Sequence, residues 1–197
     1  MRAGGLTLRT PALVRQLQCP GMAFDRSRTL RGALAGAVAA GVWSAQQPLD
    51  QRVFGVGHDV AVLLGRLVTS GPAAMGLGTA LHVGNGALFG ALYANLAPSL
   101  PGPAATHGPL AGLAEHLATW PATCLLGRLD RLRDLPALWG SGRAFAQSTW
   151  RHLLFGAVLG ELERRLNGDA AARGPLDDIA VSSNGHGAVE HLVTTEP

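Results

Sequence analysis

Three histidines, His82, His116 and His152, are the residues of this 197-residue chain best placed to do chemistry. Each lies well inside an otherwise apolar segment, and His82 and His152 occupy matching places in two similar stretches. Three imidazoles brought together from three helices could ligate a divalent metal, and two of them could clasp a haem. The competing reading is that each ring only hydrogen-bonds a neighbouring helix. No HxxxH, HExxH or CxxC spacing points to a particular metal. The identity of any cofactor stays open, with His82, His116 and His152 as the candidate binding residues.

Glu115 and Arg151 form a second constellation. As an ion pair they would neutralise each other and tie the third apolar segment to the fourth. The functional alternative is a proton or ion relay through Glu115, His116 and His152. Asn85 and His107 complete the polar set, and Glu161, Glu163, Arg164 and Arg165 read as the hydrated end of the last segment. His58-Asp59 could reach a ligand at the mouth of the bundle. Gly84-Asn-Gly86-Ala-Leu-Phe-Gly90 imitates a dinucleotide fingerprint, but no strand precedes it. There is no Walker A motif and no G-x-S-x-G, so no catalytic residue is assigned.

The elements that must position these groups follow from charge and small-residue patterning. Residues 67–114 contain no Asp, Glu, Lys or Arg. A surface helix needs charges on its wet face, and a span needs about 20 apolar residues. The stretch therefore predicts two membrane crossings. Four apolar segments stand out, about Leu30–Gln47, Ala73–Leu96, Ala104–Leu126 and Ala144–Leu162. Each carries one GxxxG: Gly32/Gly36, Gly86/Gly90, Gly108/Gly112 and Gly156/Gly160. Small residues four apart clear a helix face so that a second backbone can approach.

The segments are also related to one another. His82 to Leu96 aligns without a gap on His152 to Leu166, sharing H-x3-G-A-x2-G-x-L-x3-L. Gly32-Ala-Leu-Ala-Gly36 matches Gly108-Pro-Leu-Ala-Gly112, with Trp43 and Trp120 following at similar distance, and Leu49-Asp50 is echoed by Leu129-Asp130. The expected fold is all-α: a four-helix transmembrane bundle built from two tandem two-helix repeats. Repeat 1 covers about 30–96 and repeat 2 about 104–166, within a helical domain of residues 29–167. An interfacial amphipathic helix is expected in the first connection, because Val53, Val56, Val60, Leu63, Leu64 and Leu67 recur at helical spacing opposite Asp59 and Arg66. All four tryptophans, Trp43, Trp120, Trp139 and Trp150, then fall toward one side as an interfacial belt. Arginines are nearly balanced across the two sides, which leaves orientation open.

Residues 1–28 and 168–197 read as disordered tails. Met22 competes with Met1 as the true start, and no convincing signal peptide precedes it. Cys19 and Cys124 are far apart and imply neither a disulfide framework nor a zinc site. All 16 basic residues are Arg, mean hydropathy is +0.20 and the pI is near 9.6. These arginines are scattered rather than gathered into an aromatic-and-basic surface, so no nucleic-acid partner is expected.

At Gln47-Pro-Leu-Asp-Gln-Arg-Val-Phe-Gly55, Leu63-Leu-Gly-Arg66, His82-x-x-Asn85-Gly86 and Trp150-Arg-His-Leu-Leu-Phe-Gly156, the chain resembles a group of small uncharacterised bacterial integral membrane proteins. The likeness covers about residues 30–167. It implies a multi-pass protein of the bacterial inner membrane, with the lipid bilayer as partner, and no assigned activity.

The functional expectation is a non-enzymatic packing or assembly component, as a homo-oligomer or within a membrane complex. One alternative is a metal, haem or small-ligand binder using His82, His116 and His152. Another is a small transporter with Glu115, Arg151 and His116 in its pathway.

Overall fold

The computed structural model describes residues 25–172, and every regular element among them is helical. Helix α1 (Arg26–Phe54) starts where the Asp25 carboxylate accepts from the backbone N–H groups of Ser27 and Arg28, at 2.8 and 3.3 Å. Two otherwise unpaired donors are satisfied there, as at any good N-cap. It ends at Gly55, whose φ of 66° is the left-handed conformation that glycine adopts at little cost. Asp59 caps α2 (Val60–Val68) in the same way. The remaining helices are α3 (Ala74–Leu96), α4 (Ala104–Thr119), the short α5 (Thr123–Leu126) and α6 (Gly142–Ala172). A 3-10 turn at Trp120–Ala122 joins α4 to α5, with Pro121 supplying no N–H to the ladder there.

Backbone contact at glycine decides the pairing. A Cβ built on Gly36 would overlap the Gly86 carbonyl, and one on Gly32 would overlap that of Gly90, so α1 and α3 run in direct contact. The same relation recurs between α4 and α6, where a Cβ on Gly108 would meet Gly156 and Gly160 and one on Gly112 would meet the His152 carbonyl. All eight GxxxG glycines are therefore used inside the fold. A third close approach, Gly65 against Ala74 and Gly78 against Ala61, seats α2 on α3.

The two hairpins join through α1 and α6. Ala35, Ala39, Ala40 and Trp43 pack there on Phe155 and Leu159, all buried. This leaves α3 and α4 on the flanks of the α1–α6 pair, facing each other across a cleft. At the far end Arg28 ties three helices together: its Nε donates to the Ala94 carbonyl at 2.7 Å, and its Nη2 pairs with Glu163 at 2.9 Å. Glu163 is thus a buried partner rather than part of a hydrated helix end.

The membrane expectation is overturned. No helix among the described residues is both long and apolar enough to cross a membrane. Helix α4 has 16 residues, about 24 Å of rise, against about 30 Å of hydrocarbon. Helix α1 is charged at both ends, and its middle is diluted by three glycines with Gln46 and Gln47, while α6 carries charges along its length, including the buried Arg151. Helix α3 is long enough, but five glycines with His82 and Asn85 dilute its apolar content. The four-helix transmembrane bundle, the lipid-bilayer setting and the multi-pass inner-membrane location are corrected accordingly. Helix α2 packs on α3 through Gly65 and Gly78 instead of lying apart in an interface.

The tryptophan belt is corrected as well, because Trp43 is buried while Trp139 and Trp150 are exposed. Asp25–Arg28 and Gly168–Ala172 belong to α1 with its cap and to α6, not to the tails. The rest of both expected tails, the choice between Met1 and Met22, and Cys19 lie outside the described residues.

Candidate functional site

The cleft between α3 and α4 encloses a cavity of about 290 Å³. Helices α1 and α6 form its floor through Trp43, Ser148 and His152, and α2 covers one side with Leu63, Leu64 and Leu67. Asn85 on α3 and Glu115 on α4 line it from opposite flanks. Its wall is mostly apolar, with a few convergent polar groups, the usual composition of a small-molecule site.

The three histidines do come together, though not around a common point. Trp43 stands against two of them, with ring centroids 5.2 Å from His82 and 4.7 Å from His152, both edge to face. His116 and His152 lie tilted at 4.8 Å. The order of rings is thus His82, Trp43, His152, His116, and an indole separates the first imidazole from the others. Among the described residues no three His, Cys, Asp or Glu side chains are grouped so as to hold a metal. His116 is further committed: its Nδ1 lies 3.2 Å from Ser148 Oγ and its Nε2 3.0 Å from Thr149 Oγ1. A metal or a haem iron would have to displace one of those hydroxyls. The metal and haem reading of His82, His116 and His152 does not fit this arrangement.

What the rings offer instead is hydrogen bonding. His152 Nδ1 is 2.7 Å from the Ser148 carbonyl, which can only accept, so Nδ1 carries the proton. Its Nε2 makes no hydrogen bond among the described residues and presents a lone pair. Burial pushes His152 down to about 4, with the neighbouring imidazoles and Arg151 acting in the same direction. His82 and His116 are lowered too, chiefly by burial. All three are neutral near pH 7. Burial raises the Glu115 carboxyl, which Asn85 offsets in part by hydrogen bonding. Two buried polar atoms of these residues, Trp43 Nε1 and His82 Nε2, have no hydrogen-bond partner among the described residues.

Arg151 does not pair with Glu115, and this expectation is corrected. Arg151 is fully buried and grips Asp50 with two bonds, Nε to Oδ2 at 2.6 Å and Nη2 to Oδ1 at 2.5 Å. Its remaining donors reach the His58 carbonyl at 3.1 and 3.2 Å. Gln147 Nε2 donates to Asp50 Oδ1 at 2.8 Å and to the Val56 carbonyl at 2.9 Å, and Gln46 Nε2 donates to Asp50 Oδ2 at 2.6 Å. The network pins the loop after α1 onto α6 and places His58 on the cavity wall. Its own burial, with Arg151 nearby, pushes His58 down to about 4. Asp50 lies beyond the expected segment Leu30–Gln47, and the signal that finds it is the Asp in Gln47-Pro-Leu-Asp50, set on the inner face once α1 is carried through Pro48. His107 lies apart from the cleft, its Nε2 3.2 Å from the Pro101 carbonyl.

The fold and cleft thus define an all-α protein of paired glycine-packed hairpins with a lateral, mainly apolar cavity. Comparison with protein-family models, with curated proteins and with solved structures finds no match. Function has to come from the chemistry of the cleft.

Proposed function

We propose that this is a binding protein, without catalytic activity of its own, whose α3–α4 cleft takes a small and largely apolar molecule. The observation that carries this reading is the cavity, apolar on most of its wall with a few polar groups among its lining residues, Asn85, Glu115 and His152. A hydrolytic reading of Ser148 and His116 has less support. The second nitrogen of that imidazole faces the Thr149 hydroxyl, where a carboxylate would be needed to orient and charge it. The surrounding backbone N–H groups are spent within α6 and offer no oxyanion site.

Titration of the protein with 1-methylnaphthalene, followed by calorimetry, tests the reading. Saturable binding at one site is expected, and Thr119→Trp, which fills the mouth from an exposed position on α4, should weaken it at least tenfold while the melting temperature holds. Binding that ignores this substitution would move the site elsewhere.

A second reading, self-association, is favoured by one specific feature. Leu30, Leu34, Val38 and Val42 follow one another at four-residue spacing along the outer face of α1, and all are exposed. Sedimentation should then give a dimer that Leu34→Glu dissociates, and a monomer at all concentrations would remove this reading. The glycine faces no longer support an outside packing partner, because the helices of the bundle already occupy them.

A further inference from the structure

We infer that the cleft selects an organic cation, a protonated amine on an apolar body, with Glu115 as its counter-charge. This deepens the binding reading above and rests on it. Glu115 is the only Asp, Glu, Lys or Arg among the residues that line the cavity. The histidines on the same wall, His58, His82, His116 and His152, are kept neutral by burial. Among the described residues Glu115 takes part in no ion pair. Arg151 is committed to Asp50 and does not line the cavity. Glu115 is half-buried on α4, and Asn85 on the opposite flank stabilises its charged form by hydrogen bonding. Burial works against that form, and no cation of the protein makes up the difference.

Charge complementarity then sorts the possible ligands. A protonated amine donates to the carboxylate, and a bond between two charged groups is shorter and stronger than one between neutral groups. The rest of the wall, with Leu63, Leu64 and Trp120, is apolar and takes the body of the ligand. An anion would meet a like charge, and it would lose water with no cation on the wall to replace it. An uncharged molecule of the same shape fills the cavity but leaves Glu115 without a counter-charge. A bare divalent metal would find one carboxylate, since no three His, Cys, Asp or Glu side chains are grouped to hold it among the described residues. An amine needs only that one.

The experiment compares three probes of similar shape on the full chain by calorimetry at neutral pH: 1-naphthylmethylamine, its uncharged counterpart 1-naphthylmethanol, and 1-naphthoate. The amine is expected to bind about tenfold tighter than the alcohol, with 1-naphthoate weakest. Glu115→Gln keeps the shape of the side chain but removes its charge, and the amine and the alcohol should then bind alike. Equal binding of the two by the unaltered protein overturns the cation preference and leaves the apolar binding site standing. Tightest binding by 1-naphthoate also overturns it. An advantage of the amine that survives Glu115→Gln overturns the assignment to that carboxylate. No binding of any probe removes the binding reading itself. The probe comparison on the unaltered protein decides the preference even if Glu115→Gln fails to fold.

Discussion

Arg151 and Asp50, 101 residues apart in sequence, form a two-point ion pair with relative side-chain exposures of 0% and 2%. A buried pair of this kind is sustained by its hydrogen bonds, because desolvating two charges offsets much of their attraction. Here Gln46, Gln147 and the His58 carbonyl supply those bonds. The pair fixes α6 against the end of α1 and holds the wall of the cleft.

Removing one partner leaves the other charged and buried. Asp50→Leu is expected to destabilise the protein by about 3–5 kcal/mol. The double variant Asp50→Leu/Arg151→Met should cost clearly less than the sum of the two single changes. Urea unfolding of the four proteins in the cycle measures this, and strict additivity would show that the two residues do not interact.

Glycine substitutions separate contact from helix propensity. A methyl at Gly36 overlaps the Gly86 carbonyl, so Gly36→Ala should lower stability by about 1–3 kcal/mol. Gly84 lies on the same helix as Gly86 with nothing near its Cβ position. Gly84→Ala should therefore raise stability, by up to about 1 kcal/mol. Thermal melts of both variants check the contrast, and equal effects would contradict the helix pairing.

Stability should fall on acidification below neutral pH. His58 and His152 titrate near 4 in the folded protein, against 6.5 for an unperturbed imidazole. Between those values the unfolded chain takes up protons that the folded one refuses, so folding loses ground as pH drops from about 6.5 to about 4. Each such group contributes up to about 1.4 kcal/mol per pH unit in that window. His82 and His116 act in the same direction. Denaturant midpoints at pH 7.5, 6 and 5 follow this loss, and His58→Gln should flatten the slope.

Much of the helical framework was legible before any coordinates. Ala73–Leu96 matches α3 almost residue for residue, and Ala104–Leu126 covers α4, the turn at Pro121 and α5. Glycines spaced four apart predicted which helix faces touch, because only glycine lets two backbones meet. The doubled pattern pairs His82 with His152, and similar depth in its segment adds His116, but neither signals Trp43 standing against His82 and His152. A tryptophan near a segment end had been read as an interfacial anchor, and burial is a property of the partner helices rather than of the residue. The same limit hid Asp50, whose partner lies across the whole chain.

The membrane setting fails for a different reason. Absence of charge over residues 67–114 predicts lipid around them. That stretch spans α3, the turn around Pro98 and most of α4, and its glycines, histidines and threonines keep each helix short of the apolar length a crossing needs. Freedom from charge reflects glycine-packed interiors there as well as it would reflect a bilayer.

A crystal of the protein soaked with 1-bromonaphthalene puts the central claim to its most direct test. The account predicts an anomalous bromine signal inside the cleft, between Trp43 on the floor and Leu64 on α2. A signal confined to the outer face of α1, or a cleft that stays free of bromine at saturating probe, would contradict it.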